Sequence, residues 1–204
     1  PWEAEFLQAL GVLPCPYHRY YYKQSEILTK QLEEYAAGTT RAEVVQELEE
    51  SLFALYRDEE LDEKPPQLEQ RGGAYYSDAA CNVISSIVLD KGDIQTLNVQ
   101  NQGAIVGIPD ESAVEVNCVV TKDGLKPVEI GELPVAVNGL VQQIKSFERV
   151  AAEAAVTGNY ETALLAMTIN PLVTSDEQAK ALLNEMLEVH SKYLPQFHQV
   201  GKRS

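Results

Sequence analysis

The chain has 204 residues, of which 45% are hydrophobic and 23% are charged, so it is long enough and apolar enough to bury the core of one large domain. Its formal net charge of −15 argues against binding to nucleic acid or to anionic membrane surfaces, because both need clustered lysine and arginine. No apolar run is long enough to span a bilayer. The three cysteines, Cys15, Cys81 and Cys118, are sparse and have no paired spacing, which predicts reduced, mostly buried thiols in a cytoplasmic protein.

The first 70 residues carry helical patterns. Residues 2–10 are predicted to form a short amphipathic helix with no initiator methionine before it, so we expect the chain to be the C-terminal part of a longer protein. Apolar spacing predicts a second helix over 25–35, and a capping box at 40–43 predicts the start of a third that runs to Leu55. Residues 58–70, which are charged and contain two adjacent prolines, are predicted to form a surface loop.

An aromatic, proline-containing segment, residues 13–22, lies between the first two helices. Cys15 and His18 stand in C-x-x-H spacing, but no second pair of ligands completes a tetrahedral metal site, so packing is the favoured interpretation. Arg19 is a cation beside aromatic side chains, and it is a candidate for a functional role, with an interior ion pair as the alternative.

The rest of the chain is organised around residues 71–78, which read Arg-Gly-Gly-Ala-Tyr-Tyr-Ser-Asp. The two glycines allow a tight bend or a close approach to a ligand. Helical spacing after them predicts one buried face formed by Ala80, Val83, Ile84 and Ile87.

Tyr76 falls in the first turn of that helix, where unpaired backbone N–H groups and the macrodipole favour negative charge. A phenol there ionises more easily than one in water, and Arg71 would act in the same direction, so Tyr76 is a candidate base. The alternative interpretation is a Gly-Gly turn that opens a buried helix, with tyrosines that only pack on their neighbours.

After this helix the period changes from 3.6 to 2. A strand is predicted over Asp93–Val99, followed by a polar turn over 98–103. Strict alternation predicts a second strand with one buried face, formed by Val114, Val116, Cys118 and Val120. Asp123-Gly124 predicts a hairpin turn, with the return strand over 128–130.

The remainder is predicted to be helical. One helix begins at Pro134 and ends at Gly158, a second is capped by Asn159 and stops at Asn170, and a third follows a capping box at Ser175. The tail after Pro195 is predicted to be loose. The fold class is therefore α+β: a mostly helical domain with a small antiparallel sheet.

The chain has no G-x-G-x-x-G after a strand, no phosphate-binding loop and no zinc motif. A Ser–His–Asp set lacks the G-x-S-x-G context. The residues by themselves therefore predict no cofactor-binding or metal-binding residue in this chain.

Several separated segments together resemble the C-terminal portion of glycoside hydrolase family 4, of the 6-phospho-β-glucosidase type. They are residues 13–22, 71–77, 98–103 and 170–172. The resemblance covers nearly the whole chain. It implies a substrate-binding and catalytic domain over 1–204, similar to the C-terminal domain of lactate/malate dehydrogenase-type enzymes, with an N-terminal Rossmann domain outside this chain.

This family implies a hydrolysis that needs NAD and a divalent metal, commonly manganese, and that departs from the two-carboxylate scheme. Hydride leaves C3 of the sugar to NAD, the resulting ketone acidifies the C2 proton, and a tyrosine removes that proton. The aglycone is then eliminated, water adds, and the hydride returns. The metal holds the C2 and C3 oxygens as a Lewis acid.

By position in the motif, the tyrosine base of the family falls on Tyr76, with Tyr75 as the fallback. Arg71, Arg19 and Asn101 are the candidates for contact with the substrate or its phosphate. Some relatives have a basic residue where Gln100 stands, so the phosphate contact is left open. The resemblance places the dinucleotide fingerprint and the metal ligands upstream of this chain.

The expected partners are a phosphorylated disaccharide such as cellobiose 6-phosphate, the enzyme's own Rossmann domain and further copies in a homo-oligomer. A second hypothesis is an enzyme of the same architecture whose substrate is a 6-phospho-α-glucoside or a uronide. A third treats the chain as a structural and oligomerisation domain, with Tyr17–Tyr22 at a subunit contact. In isolation the chain is expected to be inactive.

Overall fold

The structure is a computed structural model that describes residues 2–72 and 75–202, with only the backbone described for 199–202. Gly73 and Ala74 of the central motif lie outside the described residues. The α-helices are α1 Ala4–Leu10, α2 Arg19–Tyr22, α3 Gln24–Ala37, α4 Arg41–Leu55, α5 Gln67–Arg71, α6 Tyr76–Val88, α7 Val135–Thr157, α8 Tyr160–Ile169 and α9 Asp176–Val189. Short 3-10 helices span Pro16–His18, Ser191–Tyr193 and Pro195–Lys202.

The strands are β1 Asp93–Gln100, β2 Ala113–Thr121 and β3 Gly124–Pro127, which form an antiparallel sheet in the order β1-β2-β3. The α+β prediction is therefore confirmed. Among the described residues, no helix is both long and apolar enough to cross a bilayer.

The chain divides into two compact units. The first unit consists of the residues up to Tyr21, those from Thr96 to Asn117, and those from Pro127 onward. The second unit consists of Tyr22–Gln95 and Cys118–Lys126.

The core of the first unit is made by α7, α8 and α9. Ala154, Ala163 and Leu183 are buried there, and larger half-buried side chains pack against them; these are Tyr160, Leu164, Met167, Leu187 and Phe197. The prediction of a loose tail is wrong for residues 195–198, because the Gln196 side chain donates to the Ala155 carbonyl over 2.9 Å.

The sheet follows its sequence pattern closely. Val114, Val116, Cys118 and Val120 are all buried, as the strict alternation in β2 predicts. The hairpin at Asp123-Gly124 is also present, but the return strand is Gly124–Pro127 and not residues 128–130. Proline ends this strand because it has no N–H to donate to the ladder.

Two predictions in the second unit are wrong. The 58–70 segment is not a loop throughout, since α5 begins at Gln67. The face of α6 that the spacing predicts to be buried is not buried: Ala80 and Ile84 are exposed, Ile84 at 60%, and Val83 and Ile87 are half-buried. The buried residue of this helix is Ser86.

The capping box at the start of α4 is confirmed. Glu43 Oε2 accepts from the Thr40 N–H over 2.8 Å and from the Thr40 hydroxyl over 2.7 Å, while the Thr40 hydroxyl oxygen accepts from the Glu43 N–H over 3.4 Å. The hydrogen bonds from Thr40 lower the pKa of the Glu43 carboxyl below its usual range. The carboxylate form therefore stabilises the folded state.

This lowered pKa predicts a pH-dependent effect of Glu43→Gln. The carboxylate contributes stability at any pH above the ordinary glutamate pKa of about 4.3, and that contribution disappears as the pH falls through the lowered folded pKa. We therefore expect Glu43→Gln to lower the free energy of unfolding at pH 7 and to have a smaller effect in acid, as measured by urea unfolding. Glu47→Gln, at another exposed position of α4, is the control. An equal loss at both pH values would contradict the prediction.

Candidate active site

Tyr76 is the first residue of α6, and Tyr75 is its N-cap. Both side chains are at the surface, 76% and 77% exposed. The first turn of a helix has backbone N–H groups without helical partners, so it is a favourable place for negative charge. Asp78 occupies the same turn and shares this favourable field. The Lys64 ammonium lies 5.7 Å from the centre of the Tyr75 ring.

Arg71 ends α5, five residues before Tyr76, and its side chain is already paired. Its Nη2 and Nε atoms donate to Glu49 Oε1 of α4 over 2.6 and 3.1 Å. Both side chains remain partly exposed, at 43% and 37%. A substrate phosphate at Arg71 would therefore compete with Glu49 for the guanidinium.

The structure adds a residue that the sequence analysis does not single out. Arg41, the first residue of α4, donates from Nη2 to the carbonyl oxygens of Gln70 and Arg71 over 3.0 and 2.8 Å. One sequence signal could have identified Arg41. The macrodipole disfavours a cation at the N-terminus of a helix, so an arginine at this position indicates a stabilising partner elsewhere in the chain.

Asn101 lies in the first unit and is 0% exposed. Its amide nitrogen donates to the carbonyls of Ile105 (3.0 Å) and Ile108 (2.7 Å), and its side-chain oxygen accepts from the Ile105 N–H (2.8 Å). Since each polar atom of this side chain has a backbone partner, the geometry favours a role in holding the 101–108 loop. Direct contact between Asn101 and a substrate stays a prediction.

Arg19 also belongs to the first unit and is exposed. Its guanidinium carbon lies 5.2 Å from the centre of the Tyr20 ring, and Nη2 is 3.4 Å from the Tyr20 hydroxyl. The alternative of an interior ion pair is wrong, because the side chain is at the surface and no ion pair among the described residues involves it.

The first unit contains a cavity of about 540 Å³, a size common for small-molecule sites. Its lining is mainly apolar and includes Ile105, Leu140 and Ile144, with Tyr21 and Asn98 among the polar contributors. Arg19 and Asn101 do not line it, although each is close in sequence to a residue that does.

Cys15 and His18 form a local cap. The Cys15 N–H donates to His18 Nδ1 over 3.0 Å at the start of the short 3-10 helix Pro16–His18. Throughout residues 2–72 and the described part beyond Ala74, no group of three or more His, Cys, Asp or Glu side chains is placed to hold a metal ion. The prediction of mostly buried thiols is wrong, because Cys15 and Cys81 are exposed and only Cys118 of the three is buried. Its burial raises the pKa of the Cys118 thiol, which disfavours the thiolate.

Residues 1–173 match the model of the family 4 glycosyl hydrolase C-terminal domain. The chain belongs to this family. Among its family 4 relatives, a probable 6-phospho-beta-glucosidase of Bacillus subtilis is 68% identical over 96% of the chain, and the 6-phospho-beta-glucosidase of Escherichia coli is 45% identical over 97%. The chain spans 44% of the length of each of these two relatives.

A solved family 4 structure shares the fold. The 6-phospho-beta glucosidase of Thermotoga maritima, determined with manganese, NAD+ and glucose-6-phosphate, superposes with a TM-score of 0.83 at 29% identity. The match covers 95% of this chain and 45% of that one. The predicted family and fold are confirmed, whereas the roles of Tyr76, Arg71, Arg19 and Asn101 stay predictions.

Proposed function

We propose that this chain is the substrate-binding and catalytic half of an NAD- and metal-dependent 6-phospho-β-glucosidase that acts on phosphorylated disaccharides such as cellobiose 6-phosphate. The identities of 68% and 45% to 6-phospho-beta-glucosidases support the substrate class. The observation on which the proposal depends most is the exposed Tyr76 at the start of α6, within the Arg-Gly-Gly-x-x-Tyr-Ser motif.

NAD and the metal would be bound mainly by residues outside this chain. The described residues offer no three-ligand group for a metal, and the sequence has no dinucleotide fingerprint. We therefore assign the oxidation and reduction at C3 to a part of the enzyme outside this chain. This assignment is consistent with the length of the chain, which covers 44% of the Bacillus subtilis relative. Only the proton transfer at C2 is assigned to this chain.

In this step the Tyr76 oxygen removes the proton from C2 of a sugar that carries a ketone at C3. The C–H electron pair forms an enolate. That pair then makes the C1–C2 double bond as the bond from C1 to the glycosidic oxygen breaks, and the aglycone leaves with the electron pair of the broken C1–O bond. Water later adds at C1, and a proton returns to C2. A general base that is open to solvent exchanges its proton between these events, which suits the 76% exposure of Tyr76.

The remaining candidates would bind the substrate. Arg71 of the second unit and Arg19 of the first are two separate candidates for the contact with the 6-phosphate, since a guanidinium group suits bidentate phosphate binding. Arg71 would do so by exchanging part of its contact with Glu49. Asn101 would act indirectly, by fixing the main chain of its own loop.

The decisive experiment is hydrolysis of cellobiose 6-phosphate by the complete enzyme in heavy water, with NAD and Mn²⁺ added. We expect deuterium at C2 of the glucose 6-phosphate released from the phosphorylated sugar, detected by NMR. The 204-residue chain alone, incubated identically, should release no product, and product glucose 6-phosphate incubated with the enzyme without a glycoside controls for later exchange. Release of product with ordinary hydrogen at C2 would indicate direct displacement and overturn the proposal.

A further inference from the structure

We propose that Arg41 is a positioning residue for Tyr76, which it holds in place by fastening the end of α5 to the start of α4. This inference rests on the proposed function, because it assigns the effect of Arg41 to the reaction in which Tyr76 is the base. It concerns only contacts within the second unit.

The contact of Arg41 is with the main chain that leads into the motif. Its Nη2 donates to the last two carbonyls of α5, those of Gln70 and Arg71, over 3.0 and 2.8 Å. Carbonyls at the C-terminal end of a helix have no intrahelical partner, and a guanidinium is a strong, charge-assisted donor to them. One side chain therefore satisfies two main-chain groups that lie 29 and 30 residues away.

The same end of α5 makes a second contact with α4. The Arg71 guanidinium is held by Glu49, which lies eight residues beyond Arg41 on the same helix. Arg71 is thus fixed to α4 both through its carbonyl and through its side chain. Gly72 follows with φ +87°, a left-handed conformation that only glycine adopts without strain, and four residues separate Arg71 from Tyr76.

The helix α6 itself does little to fix its own first turn. Among the described residues, its N-cap makes no side-chain hydrogen bond, and Tyr75 and Tyr76 are both exposed. The buried residue of α6 is Ser86, ten residues further on, which accepts from the Gln95 side chain over 2.8 Å. We therefore infer that the placement of the Tyr76 end of α6 depends on the end of α5, which Arg41 holds at the carbonyls of Gln70 and Arg71.

The test compares Arg41→Gln, Arg41→Lys and the control Arg57→Gln in the complete enzyme. Arg57 is an exposed arginine of the same unit and makes no ion pair among the described residues. We expect Arg41→Gln to lower kcat by about 10–100-fold with KM changed by less than about 3-fold, since small displacements of a catalytic group are costly. Arg41→Lys should recover part of kcat, and Arg57→Gln should match the wild type.

Two further readouts separate positioning from general loss of folding. In hydrogen exchange, peptides covering 68–80 should exchange faster in Arg41→Gln, while peptides from α8 should be unchanged. With substrate deuterated at C2, the isotope effect on kcat for Arg41→Gln should be at least as large as for the wild type, because proton removal is the slowed step. A decrease in kcat that only follows the fraction of unfolded protein, with exchange raised everywhere, would overturn the inference.

The outcome for Tyr76 keeps the two proposals distinguishable. If Tyr76→Phe abolishes activity while Arg41→Gln keeps wild-type kcat, the positioning role fails and the proposed function stands. If Tyr76→Phe keeps wild-type activity, the proposed function fails and so does the positioning role that depends on it. In that case, hydrogen exchange in peptides 68–80 reports only whether Arg41 holds the end of α5 against α4.

Discussion

Replacing Tyr76 by phenylalanine in the complete enzyme is expected to lower kcat by about 10²–10⁴-fold, the contribution usual for a general acid or base. The substitution removes one oxygen from a ring that is 76% exposed, so no buried polar partner is lost. Folding and KM should therefore change little. Steady-state kinetics with cellobiose 6-phosphate, together with thermal unfolding of both proteins, measures the two effects separately.

Tyr75→Phe is the matched control for this substitution. Tyr75 is adjacent in sequence and 77% exposed, and phenylalanine keeps the ring face that the Lys64 ammonium approaches. We expect kcat within about 3-fold of the wild type, because no catalytic group is removed. A large loss in Tyr75→Phe with little loss in Tyr76→Phe would transfer the role of base to Tyr75, and little loss in either would remove the proposed mechanism.

Features encoded within a few residues are well predicted from this sequence. The capping residues Thr40, Asn159 and Ser175 each accept a hydrogen bond from the first turn of the helix that they precede. The alternation in β2 also predicts its buried face correctly. The caps are predicted because they depend on the local backbone alone. In β2 the local pattern identifies the residues that share a face, and the burial of that face comes from the packing of the rest of the chain.

Burial of a helix face is less predictable, because it depends on what packs against that face. Spacing identifies Ile84 as part of an apolar stripe, yet it is 60% exposed in this chain. In α9, Ala179 and Leu183 are buried as predicted, but Met186 and Val189 are 48% and 66% exposed. Periodicity shows which residues share a face and does not show whether this chain covers it.

The candidate site also contains contacts that the sequence does not predict. The motif gives Tyr76 and Arg71 directly, but the partners that hold Arg71 come from α4, with Glu49 lying 22 residues away along the chain. Pairings of that range depend on how helices pack, so no local pattern encodes them. For Asn101 the sequence and the structure point to different roles. A polar residue in a polar turn suggests a ligand contact, whereas the folded loop encloses this side chain completely.

Asn101→Leu is expected to lower the free energy of unfolding by about 3–5 kcal/mol, since it leaves buried backbone groups unpaired at about 1–3 kcal/mol each. The groups left unpaired are the Ile105 N–H and the Ile108 carbonyl, whereas the Ile105 carbonyl loses the Asn101 donor but still accepts from the Ile108 N–H over 3.4 Å. Leucine has a similar volume, so the effect reports lost hydrogen bonds rather than a cavity. Urea unfolding at pH 7 measures this loss.

The neighbouring Gln100 provides the control, because its side chain is exposed and bonds only to Gln102 among the described residues. Gln100→Ala should change stability by less than about 0.5 kcal/mol. Asn101→Asp keeps the acceptor for the Ile105 N–H but directs a negative charge at two carbonyls, so its loss should be largest at neutral pH. The loss should shrink in acid, where the protonated carboxyl donates to one carbonyl. If Asn101→Leu instead kept wild-type stability and raised only KM, Asn101 would be a direct substrate contact and not the support of its loop.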